Sequence, residues 1–152
     1  MINIEKNLSK LGFALPITTT PKAMYVPVKQ VGNLLFISGQ GPFLDEKPVY
    51  TGKVGLELTV EEAQKAAEIC ALNILSVLKE YTGDLNRVKN IVKLSSFVNC
   101  SDDFDKHHIV TNGASELLFN VFGESGRHAR TAVGVSQLPF NISVEIEAII
   151  EI

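Results

Sequence analysis

The sequence predicts an α+β fold in which helices cover one face of a β-sheet. Several segments alternate apolar and polar residues, as half-buried strands do. Two long segments instead repeat their apolar residues at helical spacing. A strand-rich chain with two long helices is typical of an α+β sandwich. The 152 residues fit one domain, which we assign to 1–152.

The first twenty residues predict a short helix and a connection. Ile4, Leu8 and Leu11 have helical spacing, and Gly12 can end the helix. A polar, proline-containing connection completes the segment 1–20.

Two strands are expected next, over 24–31 and 33–39. Gly32 and Asn33 tolerate the positive φ of a tight hairpin between them. Because Pro27 has no N–H group, it must lie at an edge or a non-donating position of the first strand.

The clearest helix follows a loop that is rich in glycine and proline, with a short strand expected near Val49. Thr59 and Glu62 form a capping box that begins this helix, and Gly83 ends it. Its apolar stripe is suited to packing on a sheet, and comprises Ala66, Ile69, Cys70, Leu72, Ile74, Val77 and Leu78.

The second half of the chain predicts a β-branched strand over 88–100 and a second helix over about 103–122. Ser101, Asp102 or Asp103 would cap this helix. The last strands are expected over 129–138 and 143–152.

Composition and motif spacing argue against several classes of function. The net charge is −3 and the basic residues are scattered, which argues against a nucleic-acid-binding surface. Cys70 and Cys100 are read as small buried hydrophobes in a reducing compartment. Since the sequence contains neither a signal-peptide pattern nor 18 consecutive apolar residues, we expect a cytoplasmic protein without a membrane span. We find no metal-ligand spacing, phosphate-binding loop or serine-nucleophile motif.

The segment "GRHARTAVGV" places an arginine beside small residues. Arg130, Ala132 and Gly134 share one face of the predicted strand, so space is expected beside the guanidinium. Arg130 is then either a solvated charge or the anion clamp of a pocket. Similarly, Glu145 and Glu147 lie on a solvated sheet face, unless the last two strands pair as a hairpin and bring them beside Arg130.

Several motifs occur in the order seen in one known family: "YVPVKQVGNLLFISGQ", "VKLSSFVN", "NGASELLFNVFG", "ARTAVGVSQLP" and "VEIEAI". From about Tyr25 to Ile150, the chain resembles the Rid family of reactive-intermediate enamine/imine deaminases, also called the YjgF family. It resembles a longer subgroup with an added N-terminal helix.

The resemblance implies a chorismate-mutase-like fold with a mixed sheet, and a homotrimer with a ligand cleft at each subunit interface. It implies that Arg130 grips the substrate carboxylate and that Glu145 orients water at the reacting carbon. The implied cleft residues are Tyr25, Ser38, Gly39 and Asn112. We add His128 to the substrate-binding candidates, since it lies two residues before Arg130 and would share its strand face.

The implied activity is the hydrolysis of small 2-imino or enamino acids to 2-oxo acids and ammonia, with a small carboxylate-bearing substrate and neither a metal nor an organic cofactor. Ala132 stands where the best-studied deaminases have cysteine, and the segment from Asn112 to Arg130 is one residue longer. Alternatives are a non-catalytic carboxylate-binding or regulatory trimer, an endoribonuclease or translation inhibitor, and a purely structural domain. The acidic pI and scattered lysines count against the ribonuclease.

Overall fold

The computed structural model describes residues 2–18, 21 and 23–152. Within these residues the helices are α1 (Ile4–Lys10), α2 (Val60–Thr82) and α3 (His107–Phe122). The strands are β1 (Val28–Val31), β2 (Leu34–Gln40), β3 (Phe43–Leu44), β4 (Lys47–Pro48), β5 (Asn90–Asn99), β6 (Ala129–Val135) and β7 (Val144–Glu151). Short 3₁₀ helices cover 85–87, 123–126 and 139–141.

Five strands form one mixed sheet in the order β1-β2-β7-β5-β6. β5 and β6 are parallel, and the other neighbouring pairs are antiparallel. β3 and β4 form a separate hairpin. α2 and α3 pack on one face of the large sheet, which confirms the predicted α+β class. Alternation explains the one-sided core, because Val144, Ile146, Ala148 and Ile150 of β7 are buried whereas Glu147 is exposed.

The predicted capping box on α2 is present. The Glu62 backbone N–H donates to Thr59 Oγ1 at 3.2 Å, and the Thr59 N–H donates to Glu62 Oε2 at 2.8 Å. The helix ends at Gly83, whose φ of 76° is the left-handed conformation that favours glycine. The local signals of this helix therefore gave both its ends correctly.

Other boundaries differ from the prediction. β1 begins at Val28 rather than Met24. The short strand expected near Val49 corresponds to β4, which ends at Pro48, and β3 is an additional strand paired with it. α3 begins at His107, four residues later than expected, because 101–104 form a turn in which the Phe104 N–H donates to the Ser101 carbonyl at 3.1 Å. Part of the predicted connection, Thr19 and Thr20, lies outside the described residues, as does Lys22.

The last two strands do not pair as a hairpin. β5 lies between β6 and β7, so the expected juxtaposition of Arg130 with Glu145 or Glu147 is wrong for a single chain. The connection through 139–141 joins β6 to β7 across the position of β5. β6 therefore pairs with β5, in parallel, instead of forming a hairpin with β7.

The face of the large sheet opposite the helices carries apolar side chains. We call it the open face, and it includes Phe36, Phe97, Val133 and Ile149. Phe36 and Val133 are each 42% exposed.

The helices in the described part of the chain are too short or too polar to cross a membrane. Cys70 and Cys100 are both buried and unpaired with each other, as the sequence predicts for small apolar residues.

Candidate functional site

Arg130 is held by neutral acceptors from α3. Its Nη1 donates to Asn112 Oδ1 at 2.8 Å and to Ser115 Oγ at 3.1 Å, and its Nη2 donates to the His108 carbonyl at 3.2 Å. A guanidinium has five N–H donors, so two remain without a partner among the described residues. No carboxylate in the described chain forms an ion pair with Arg130. Burial lowers the pKa of this partly buried guanidinium, which marks the charge as incompletely solvated.

His128 lies next to Arg130 in a defined orientation. Its Nδ1 is 2.7 Å from the Gly126 carbonyl, and its Nε2 is 2.9 Å from Ser115 Oγ. Burial lowers the pKa of His128, and the positive charge of Arg130 lowers it further, although the contact with Gly126 acts in the opposite direction. The net shift favours the neutral form of the imidazole.

Arg130, His128 and Ser115 line a cleft of about 430 Å³ between α3 and the start of β6. We call it the arginine cleft, and its walls include Ser115, Phe119, Gly126, Arg127, His128 and Arg130. The combination of a cation, a neutral base and an aromatic wall suits a small anionic organic ligand.

Glu145 lies in a second cavity, of about 130 Å³, that we call the glutamate cleft. Its walls include Tyr25, Gly39, Phe43, Phe140, Ile142 and Glu145. Burial raises the pKa of the Glu145 carboxyl, and the charge of Glu147 raises it further. Gly39 is needed for this contact, since a Cβ there would lie 2.9 Å from Glu145 Cδ and would collide with Oε1.

Ser38 does not line the same cavity as Tyr25 and Gly39. Its side chain donates to the Val26 carbonyl at 2.7 Å, and it borders a neighbouring depression of the open face with Lys29 and Glu147. In one chain, Ser38 therefore ties the segment before β1 to β2.

The two clefts lie on opposite faces of the sheet. Arg130 is in register with Leu94 and, through β5, with Ala148, both of which are buried under the helices. Glu145 is in register with Phe97 on the open face. Of the residues predicted for one site, Tyr25, Gly39 and Glu145 come together, and Asn112, His128 and Arg130 come together separately.

Gly134 does not leave space beside Arg130, contrary to the expectation from the strand pattern. A Cβ on Gly134 would lie 2.5 Å from His107 Nε2 and 2.9 Å from Cys100 Sγ. These two side chains, 3.4 Å apart, already fill the position. On the strand face of Arg130, the small side chain of Ala132 is therefore what remains of the predicted space.

Sequence reasoning did not identify Ser115 or the His108 carbonyl as partners of Arg130. One signal in the sequence could have pointed to Ser115. It lies three residues after Asn112, so the two side chains lie on the same side of a helix. Their contact with β6 depends on how α3 packs on the sheet. Among residues 2–18, 21 and 23–152, no three His, Cys, Asp or Glu side chains are grouped as a metal site would require.

Comparison with known proteins identifies relatives over most of the chain. Residues 5–151 match the family described as "YjgF/chorismate mutase-like, putative endoribonuclease". Protein TCP17 of Trypanosoma cruzi is 47% identical over 150 residues, which cover 98% of this chain and 94% of that protein. The crystal structure of Atu1372, a protein of unknown function from Agrobacterium tumefaciens, superposes with a TM-score of 0.92 at 50% identity, covering 98% of this chain and 92% of that one.

One relative is named for an activity. The 2-iminobutanoate/2-iminopropanoate deaminase of Dermatophagoides farinae is 30% identical over 138 residues, which cover 90% of this chain and 92% of that protein.

Proposed function

Because the chain belongs to the YjgF/chorismate mutase-like family, we propose that it hydrolyses small 2-imino acids to 2-oxo acids and ammonia. The observation that carries this proposal is the state of Arg130: a partly buried cation, fixed by three neutral acceptors, with no carboxylate partner in the described chain. A 30%-identical relative named as a 2-iminobutanoate/2-iminopropanoate deaminase supports the reaction type.

Arg130 is suited to bind the substrate carboxylate. With three of its N–H groups engaged by Asn112, Ser115 and His108, two donors remain for a ligand, enough for a two-point contact. The preorganised fork fixes the carbon next to the carboxylate, which is the electrophilic carbon of a 2-imino acid.

Glu145 is suited to the proton transfer that accompanies the attack of water. Its desolvated carboxyl has a raised pKa, so it exchanges a proton more readily near neutral pH than an ordinary glutamate does. Gly39 leaves room for the carboxyl in the glutamate cleft. In this assignment, Tyr25 forms part of the wall that faces the reacting group.

We further propose that the complete site forms between two copies of the chain in a homotrimer. In one chain the arginine and glutamate clefts face opposite sides of the sheet, so a ligand in one does not reach the other. The open face, on which Phe36 and Val133 are each 42% exposed, offers a surface for association. A contact that joins the arginine cleft of one copy to the glutamate cleft of the next would complete the site.

The activity can be tested with imines made in situ by an amino-acid oxidase. Loss of the 2-imino acid is followed with and without the purified protein, for several side chains. We expect faster loss than in buffer for at least one small substrate. If the wild-type protein never exceeds the uncatalysed rate, the deaminase assignment is wrong.

Variants of Arg130 test the carboxylate contact. Arg130→Ala removes a charge-assisted contact worth about 1.5–3 kcal/mol, so affinity for a 2-oxo acid should fall at least about tenfold. Arg130→Lys should recover only part of it, because an ammonium group lacks the fork. Titration calorimetry with 2-oxobutanoate measures both effects, and unchanged binding by Arg130→Ala would identify Arg130 as a surface charge.

Glu145→Gln separates binding from turnover. The amide keeps the shape of the carboxyl but cannot carry the proton, so kcat should fall while 2-oxo acid affinity changes little. An equal loss of affinity and rate would instead assign Glu145 to binding.

A carboxylate-binding protein without turnover is the second candidate, and Ala132 favours it. The residue lies on the strand face of Arg130, at the position where the best-studied deaminases have cysteine. Tight 2-oxo acid binding by the wild type, without imine hydrolysis, would select this alternative.

A further inference from the structure

The arginine cleft contains two side chains to which the proposed function assigns no chemistry. Ser115 on α3 and His128 before β6 are joined by a hydrogen bond of 2.9 Å between Oγ and Nε2. Ser115 Oγ is also 3.1 Å from Arg130 Nη1, so the pair lies directly beside the group proposed to bind the substrate carboxylate. Both side chains line the cleft.

The direction of each hydrogen bond follows from the chemistry of the partners. The Gly126 carbonyl only accepts, so His128 Nδ1, at 2.7 Å, must carry a proton. In the neutral imidazole, Nε2 is then an acceptor. Arg130 Nη1 only donates, so it occupies a lone pair of Ser115 Oγ and leaves the hydroxyl hydrogen for His128 Nε2. The chain of donors runs from Arg130 through Ser115 to His128.

We propose that Ser115 and His128 form a proton relay that removes the hydroxyl proton of the carbinolamine intermediate when ammonia leaves. Ser115 touches the reacting oxygen, and His128 acts through Ser115 as a positioning residue and proton acceptor. This inference rests on the proposed function and adds to it the base for the second half of the reaction.

The proton balance needs no further reactant. Water adds to the carbon of the protonated imine, and Glu145 takes the proton that water releases, giving a carbinolamine with one hydroxyl and one amino group. Glu145 returns that proton to the amino nitrogen. The carbinolamine O–H proton then passes to Ser115 Oγ while the Ser115 proton passes to His128 Nε2; the C=O bond forms, the C–N bond breaks and ammonia leaves. His128 gives its proton to ammonia or to solvent.

The charged groups around His128 are compatible with an acceptor role. Arg130 lies on β6, and Arg127 and Glu116 line the same cleft from the preceding segment and from α3. Arg127 is itself engaged, with its guanidinium 5.2 Å from the centre of the Phe119 ring and its Nε 3.4 Å from Glu124 Oε1. Burial and the charge of Arg130 both lower the pKa of His128, which keeps Nε2 free of a proton at neutral pH.

Nuclear magnetic resonance of the full chain tests the geometry without turnover. Long-range proton–nitrogen spectra of ¹⁵N-histidine-labelled protein should show His128 with the proton on Nδ1 and a pKa below that of an ordinary histidine. Saturating 2-oxobutanoate should raise that pKa, because its carboxylate would lie close to the imidazole. His128→Gln assigns the resonance among the three histidines, and the ligand effect should vanish in Arg130→Ala.

Kinetics test the relay itself. Ser115→Ala should lower kcat by about 10- to 100-fold, as expected for the loss of a proton-transfer group. His128→Gln should lower kcat similarly. It should also abolish the fall of kcat at acid pH that protonation of His128 causes in the wild type. Ser9→Ala, a matched change on the exposed side of α1, should leave kcat unchanged.

The outcomes separate the relay from the proposed function. If His128→Gln keeps the wild-type kcat and acid limb while Arg130→Ala loses activity, the relay is wrong and the deaminase stands. A His128 that is protonated on Nε2, or that does not respond to bound 2-oxobutanoate, also overturns the relay. If the wild type neither binds 2-oxobutanoate nor hydrolyses imines, the proposed function fails and the relay fails with it.

Discussion

Arg130 and Glu145 carry opposite charges in surroundings that prepare them for different tasks. Arg130 is oriented by Asn112, Ser115 and the His108 carbonyl, which satisfy part of its donors without neutralising its charge. Glu145 is desolvated beside Gly39, and the nearby Glu147 adds repulsion. The surroundings of Arg130 therefore favour the binding of an anion, and those of Glu145 favour protonation of its carboxyl.

Glu145→Gln should stabilise the protein at neutral pH. The folded-state pKa of Glu145 is raised, so the folded state binds its proton more tightly, and stability is lost as pH rises through that pKa. The amide removes this cost, and the variant should have the higher melting temperature at pH 7. Well below the ordinary pKa of glutamate the carboxyl is protonated in both states, so the difference should disappear.

Thermal unfolding of the variant and the wild type at several pH values measures this effect. Glu80→Gln, at an exposed position of α2, is the matched control and should show no such pH-dependent gain. A Glu145→Gln protein that is less stable than the wild type at pH 7 would mean that the carboxylate form is favoured by the fold.

α3 combines two roles on its different sides. Val110, Ala114, Leu117 and Val121 are buried, whereas Asn112 and Ser115 contact Arg130 on β6. The position of α3, which packs against both α2 and β6, therefore sets the distance between its polar side chains and the guanidinium. Gly113 allows a close approach, since a Cβ there would lie 2.8 Å from the Gln64 carbonyl carbon and would collide with its oxygen.

Gly113→Ala should destabilise the protein by about 1–3 kcal/mol, because the methyl group must push two helix backbones apart. Urea unfolding measures the change. Glu116→Ala, at an exposed position of the same helix, should alter stability by no more than about 0.5 kcal/mol. An unchanged urea midpoint for Gly113→Ala would mean that the α2–α3 contact adjusts without cost.

At the scale of the whole molecule, the helices of the described residues cover one face of the large sheet. The helices bury one face, and the open face retains Phe36 and Val133 among polar neighbours. Each chain also presents the arginine cleft and the glutamate cleft on opposite sides of the sheet. The proposed homotrimer would account for both features, because association of copies would cover the open face and bring the two clefts together.

Sedimentation equilibrium should give a trimer mass for the wild type at micromolar concentration. Phe36→Asp places a charge on the open face and should reduce the mass to that of a monomer, with the helical circular-dichroism signal retained. Leu56→Asp, at an apolar residue 70% exposed and outside the open face, is the control and should remain trimeric. A monomeric wild type would contradict the proposed assembly.

The sequence alone determined the features that depend on near neighbours along the chain. Thr59, Glu62 and Gly83 specified both ends of α2, and the period of two correctly assigned Arg130 to one face of β6 and Glu145 to the face of β7 opposite its buried residues. These features follow from interactions within four residues, so a single sequence contains them. The motif order likewise identified the family that the comparisons show.

Only the tertiary structure decided which faces meet. The insertion of β5 between β6 and β7 separated Arg130 from Glu145. The packing of α3 on the sheet supplied Ser115 and His107, and His107 fills the space at Gly134 together with Cys100, which follows β5. Strand order and helix placement are set by burial summed over the whole core, and alternation along one strand does not say which strand lies beside it. For that physical reason, alternation assigned each candidate side chain on a strand to a face of that strand, whereas the division of the candidates into two clefts and the contact of Ser115 with Arg130 came from the tertiary structure.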